Sequence, residues 1–113
     1  MKMHLTKKFC FSASHNSGSR VIGHNYILSI TAEGIDENLD VLIEQKVKEA
    51  VVSKLDSRDL GVDVEFLKGA PITDAHLMKS LWTVIQTAIQ PVPLCALTLE
   101  KDRATLLSLS RET

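Results

Sequence analysis

Imidazoles and thiols are the side chains best suited to hold a metal ion or move a proton near neutral pH. In this sequence they are His4, His15, His24, His76, Cys10 and Cys95. His4, Cys10 and His15 fall on one segment that reads as a strand, where successive side chains point to opposite faces. Cys10 is an odd number of residues from His15, so a regular strand turns it away, and His4 lies much farther along. His76 belongs to the start of a helical segment. The cysteines form no Cys-x-x-Cys pair and are too few and too far apart for a disulfide framework, which makes a reducing cytoplasm the expected compartment. Two carboxylates also stand out. Asp56 closes a helical segment, where it is expected as a helix-terminal acceptor paired with Arg58 or solvent. Glu100 opens a charged run, Glu100-Lys101-Asp102-Arg103, that reads as a solvated turn.

The elements that must carry these groups follow from periodicity. Residues 5–14 alternate Phe9, Phe11 and Ala13 with Cys10, Ser12 and Ser14, the period of a half-buried strand. Asn16-Ser17-Gly18-Ser19-Arg20 is turn chemistry. A second strand over about 22–33 places Ile22, His24, Tyr26, Leu28 and Ile30 on one parity, pairing with the first as a hairpin. From about 40 to 55 the spacing becomes helical, with Leu39, Leu42, Ile43, Val47, Ala50, Val51 and Leu55 on one side and Glu44, Lys46, Lys48 and Glu49 on the other. Asp36, Asn38 and Asp40 offer acceptors to its first N–H groups. Thr73 or Asp74 caps a second helix of about 74–89 that buries Leu77, Leu81, Val84, Ile85 and Ala88. Pro91 and Pro93 stop it. Residues 94–99 and 104–110 read as two more strands around a turn at Lys101-Asp102-Arg103. The order β-β-α-α-β-β predicts an α+β fold, a four-stranded antiparallel sheet with both helices on one face.

A chain of 113 residues fits a single domain spanning 1–113. Its net charge of −1 and lack of a basic run give no basis for nucleic-acid binding. No apolar stretch approaches membrane-spanning length, and no apolar core follows the basic N-terminal residues as a signal peptide would require. With three Phe, one Trp and one Tyr, the core must be built mainly from aliphatic side chains. Exposed sheet edges in so small a domain favour assembly into an oligomer.

Phe9-x-Phe11-Ser12-Ala13-Ser14-His15 followed by Gly23-His24-Asn25-Tyr26 resembles the 6-pyruvoyl-tetrahydropterin and 6-carboxytetrahydropterin synthase family. Further matches come in order: Asp40-Val41 with Lys46 is similar to its Asp-Phe helix start, Leu55-Asp56-Ser57-Arg58-Asp59-Leu60 to its Leu-Asp-His-x-x-Leu segment, and Pro71-Ile72-Thr73-Asp74-Ala75-His76-Leu77 to its Pro-Thr-x-Glu-Asn-Leu segment. The resemblance covers almost the full chain. It implies the T-fold, whose units join through their sheets into ring-like oligomers with ligand pockets between subunits. It also implies zinc on three histidines, a Cys and an Asp-His pair handling protons, a carboxylate holding the pterin ring, and dihydroneopterin triphosphate as substrate.

Carried over position by position, the implied zinc ligands are His15 and His24, with Ile22 at the middle position. Catalytic zinc usually takes three protein ligands and leaves one position open. His15 and His24 therefore either hold a metal weakly with help from water or a partner's side chain, or line a pocket without one. The loop from Asn16 to Val21 has no Cys, and Ser17 and Ser19 lack an activating base. The Asp-His pair reads Asp56-Ser57, and an Asp alone, with an ordinary pKa of about 4, cannot run that relay near neutral pH. Asp56 is then at most a remnant. Glu100 is the candidate ring anchor, since a carboxylate accepts two hydrogen bonds from a ring N–H and an amino group. An ungapped reading puts Lys101 there instead, so either a bulge delivers Glu100 or the anchor is gone. Ala75 and His76 stand where the family has Glu-Asn. The expected function is a T-fold protein binding a pterin- or purine-like ligand at a subunit interface with an incomplete zinc-dependent lyase site. The alternatives are an active lyase, or a non-catalytic partner in a mixed assembly.

Overall fold

The computed structural model describes residues 3–17, 20–34, 37–68 and 72–111, the side chains of Asn16 and Ser17 excepted. Gly18, Ser19, Asp36 and Pro71, which the sequence reading assigns to turns and a cap, lie outside the described residues. Strands β1 (Met3–Ser17) and β2 (Arg20–Gly34) form an antiparallel ladder without a break in register, from Met3 opposite Gly34 to Ser17 opposite Arg20. A helical arm follows: α1 (Leu39–Val47), one π-helical turn (Lys48–Val52) and α2 (Ser53–Leu55). Next come a two-residue strand β3 (Arg58–Asp59), a 3₁₀ turn (Glu65–Leu67), the long helix α3 (Asp74–Ile89), and strands β4 (Leu94–Lys101) and β5 (Thr105–Ser110). The sheet order is β3-β1-β2-β4-β5. Its four long strands are the antiparallel set expected from the sequence. The short β3 adds a fifth, parallel to β1 at Ala13 and Ser14.

Alternation sorts the strands into two faces. Phe9, Phe11, Ala13, Tyr26, Leu28, Ile30, Leu97 and Leu99 are buried against the helices, while Cys10, Ser12, Asn25, Ile27 and Glu100 belong to the opposite, open face. The helical arm contributes Ile43, Val47, Val51 and Leu55, and α3 contributes Leu77, Leu81, Ile85 and Ile89. Val47, Val51 and Leu55 recur every four residues, which overshoots one α-helical turn by about 40° each time. The wider π turn between them cancels that drift and keeps all three inside.

The helix starts differ in their capping. Thr73 caps α3 by accepting the His76 N–H at 3.1 Å. At α1 the Asn38 side chain makes no such bond, and Asp40 instead receives Lys7 Nζ of β1 at 2.5 Å. Gln86 organises the exit of α3. Its amide donates to the Val92 carbonyl at 2.9 Å, and its oxygen accepts from the Leu94 N–H at 2.8 Å and Arg111 at 2.9 Å. The guanidinium of Arg111 also lies 6.0 Å from the Trp82 ring centre. Gln86→Leu removes these bonds and leaves a half-buried N–H and C=O without partners. It is expected to lower unfolding free energy by about 1–3 kcal/mol in denaturant titration, and an unchanged midpoint would contradict this role.

Candidate functional site

Residues His15 and His24 meet on the helix-side face near the far end of the β1–β2 ladder. His15 faces Ile22 directly and His24 faces Ala13. The imidazoles stack with centroids 5.3 Å apart and planes at 19°. The His15 Nδ1 atom is buried and has no hydrogen-bond partner among the described residues. His24 turns Nδ1 to the carboxylate of Asp102, so in the neutral ring its Nδ1–H donates and Nε2 is left as the free acceptor.

Asp102 is the functional neighbour that sequence reasoning placed in a solvated turn. Asp102 and Arg103 have φ of 53° and 62°, and the Ala104 N–H donates to the Lys101 carbonyl at 3.1 Å, the pattern of a type I′ turn. The Asp102 N–H donates to the Asn25 carbonyl at 2.8 Å, and the Asn25 N–H returns to Asp102 Oδ1 at 2.7 Å. The carboxylate thus replaces a ladder carbonyl at the point where the turn leaves the sheet. The Asn25 N–H, then His24, hold its pKa below the ordinary carboxylate value. The only sequence signal was an Asp at a turn position, because its partners are remote in the chain.

Asp56, an exposed acceptor at the end of α2, receives the Ser12 N–H at 3.0 Å, and the Ser57 N–H donates to the Ser12 carbonyl at 2.6 Å. Ser57 has φ of 61°. This segment seals part of the β1 edge, so the Asp56 carboxylate is engaged in holding backbone. Glu100 pairs with Ile27 in β4, where the register runs unbroken from Ala96 to Lys101. No bulge turns it over. Glu100 therefore lies on the open face, opposite to that of His15 and His24. Lys101 is on the helix side, 3.3 Å from Asp74.

Two cavities adjoin, the larger on the open face and the smaller drawing on residues of both faces. One of about 560 Å³ is lined by Cys10, Asp56, Glu100, Asp102 and Arg103 among others, and one of about 320 Å³ by Ser14, His24, Ser57 and Arg58. Ser12 and Asn25, hydrogen-bonded to each other at 2.7 Å, belong to both. Tyr26 is buried beneath them, stacked on Phe11 with centroids 5.0 Å apart and edge-on to His24 at 5.9 Å. His76 is tied to the Leu67 carbonyl at 3.3 Å.

The solved structure of Caenorhabditis elegans 6-pyruvoyl tetrahydropterin synthase matches this fold with a TM-score of 0.83, covering 99% of this chain and 97% of that one at 16% identity. The 6-pyruvoyl tetrahydrobiopterin synthase of Dictyostelium discoideum is 29% identical over 100 aligned residues, which span 69% of this chain and 74% of that protein. This chain has the fold of 6-pyruvoyl tetrahydropterin synthase and is similar in sequence to such an enzyme. No family model matches it. Among the described residues no helix is long and apolar enough to cross a membrane.

The zinc implied by a 6-pyruvoyl tetrahydropterin synthase fold can be tested against these donors. A buried His15 Nδ1 without a partner and a carboxylate-oriented His24 are features of metal ligands. The third position, directly opposite His15, holds Ile22, whose side chain cannot ligate. His15 and His24 thus supply two donors, where a catalytic zinc usually takes three from its protein. Ile22→His is expected to raise zinc affinity by about tenfold or more in a chelator competition, since even an outer-shell partner of a ligand is worth that much. Unchanged affinity would mean that position 22 does not converge with the two histidines.

Tyr26, the sole tyrosine, offers an internal probe of this region. Burial, followed by the repulsion of Asp74 and Asp102, pushes its pKa up to about 12. An unfolded chain ionises its tyrosine near pH 10, so between these values the unfolded state holds fewer protons and stability falls as pH rises. Ultraviolet titration should show phenolate forming near pH 12 in the native protein and near pH 10 in denaturant. Coincident curves would place the phenol in solvent.

Proposed function

We propose that this chain is a repurposed tetrahydropterin-synthase-like protein that binds a pterin- or purine-like ring without carrying out zinc-dependent lyase chemistry. The observation that carries this reading is the state of the reactive positions. Ile22 stands where a third metal donor is needed, the Asp56 carboxylate is engaged with the Ser12 N–H, and position 57 is a serine bonded through its backbone. The relay that the related enzymes require is therefore incomplete within this chain, while a cavity of about 560 Å³ remains beside it.

Without a bulge Glu100 does not reach the histidine face, so it is proposed as a ring anchor only within the open-face cavity that it lines. Its carboxylate would accept two hydrogen bonds from an N–H and amino edge, with Arg103 balancing part of the cavity's negative charge. Self-association into a ring-like oligomer would complete the cavity. In support, β5 lies at one edge of the sheet, β3 covers only Ala13 and Ser14 of β1 at the other, and Leu106 is 67% exposed. The free thiols of Cys10 and Cys95 suit a reducing cytoplasm.

With zinc supplied, the purified protein should leave dihydroneopterin triphosphate unconsumed. Calorimetric titration with a pterin should show binding that Glu100→Gln weakens by about tenfold or more, as expected for loss of a charged hydrogen-bonding partner. Turnover would overturn the non-catalytic reading. Absence of binding to both pterins and purines would leave a structural partner in a mixed assembly as the better account.

A further inference from the structure

The opposite end of the sheet holds a second cluster of metal-binding side chains, independent of the ring-binding reading. His4 of β1 lies directly across from Glu33 of β2, both on the open face. The register between β2 and β4 shifts between Thr31 and Ala32, where Thr31 faces Ala96 but Ala32 faces Leu94. Cys95 is therefore the extra residue of a bulge, a feature that re-aims a side chain. The ligand atoms of His4, Glu33 and Cys95 all lie within 4.8 Å of one another, with His4 Nε2 and Glu33 Oε1 3.9 Å apart. His15 is eleven residues from His4 along β1, which puts the two clusters roughly 35 Å apart.

We infer that His4, Glu33 and Cys95 form a binding site for a divalent transition ion, zinc by its chemistry. An imidazole nitrogen, a thiolate and a carboxylate are zinc's usual donors, and three of them leave a fourth tetrahedral position for water. Zinc–ligand bonds of about 2.0–2.3 Å imply donor separations near 3.5 Å, so no side of this triangle need close by more than about 1.3 Å. Rotation of the His4 side chain, which is 55% exposed, can supply that. The backbone is already fixed. The carbonyl of Pro93 accepts the Glu33 N–H at 3.1 Å and the Cys95 thiol at 3.8 Å, so one peptide holds the β2 and β4 donors together. On binding, Cys95 loses its thiol proton to solvent and exchanges the weak bond to Pro93 for a metal–sulfur bond. The ion then ties β1, β2 and β4 together where the ladder is interrupted.

Cobalt(II) makes the site visible, because a thiolate ligand gives a sulfur-to-cobalt charge-transfer band that the two-histidine cluster cannot produce. One equivalent added to the reduced full-length chain should produce that band, and zinc should abolish it. Cys95→Ser should remove the band; Cys10→Ser and the double change His15→Ala, His24→Ala should retain it. Glu33→Gln and His4→Ala should each weaken binding by about tenfold or more, the least expected for a direct ligand. In the unaltered protein, zinc should slow alkylation of Cys95 and leave that of Cys10 unchanged. No band in the wild type, a band that survives Cys95→Ser, or equal alkylation of both cysteines with and without zinc would each overturn the site.

Discussion

One uninterrupted register between β1 and β2 governs everything chemical in this protein. Because side chains alternate strictly along a strand, fixing Met3 opposite Gly34 decides every later pair. It puts His15 against Ile22, Ser12 against Asn25 and His4 against Glu33. A slip of one residue would carry Phe9, Phe11 and Ala13 out of the core, so the hydrophobic contacts and the polar constellations are specified by the same ladder. Complete burial of Leu28 and Ile30 in the core locks that choice.

The ladder also explains why the molecule divides its polar chemistry between two faces. The paired imidazoles are on the side of the helices, while Glu100 faces the open side. Asp102 bridges the division: it lies at the hairpin end, lines the larger, open-face cavity and accepts from the ring of His24. A change at Asp102 therefore reaches both faces at once. The loop after α2 serves the edge of β1 in a similar way, with a carboxylate and two backbone N–H groups replacing a full neighbouring strand.

Much of this was legible in the sequence because local periodicity carried it. The facing of Phe9 to Ser14, the parity of Ile22 to Ile30, the helix at Asp74–Ile89 and the isolation of Cys10 from His15 all follow from spacings of two, three and four. What escaped the sequence depends on contacts made at long range. β3 is two residues long and has no pattern of its own. The acceptor for His24 lies far away in the chain, and the partner of Asp56 is a backbone N–H in β1. The bulge at Cys95 did leave a trace: Leu94 and Leu97 are both buried though three residues apart, which a regular strand does not allow.

The β4–β5 turn carries a consequence for how this protein can change. Asp102 and Arg103 both sit in the left-handed region, but at unequal cost: Asp tolerates it and Asp-Gly is a favoured pair in this turn type, whereas Arg is not suited to it. The hairpin can therefore gain stability at position 103 without losing the carboxylate that orients His24. Local foldability and the integrity of the histidine cluster are separable within this one turn.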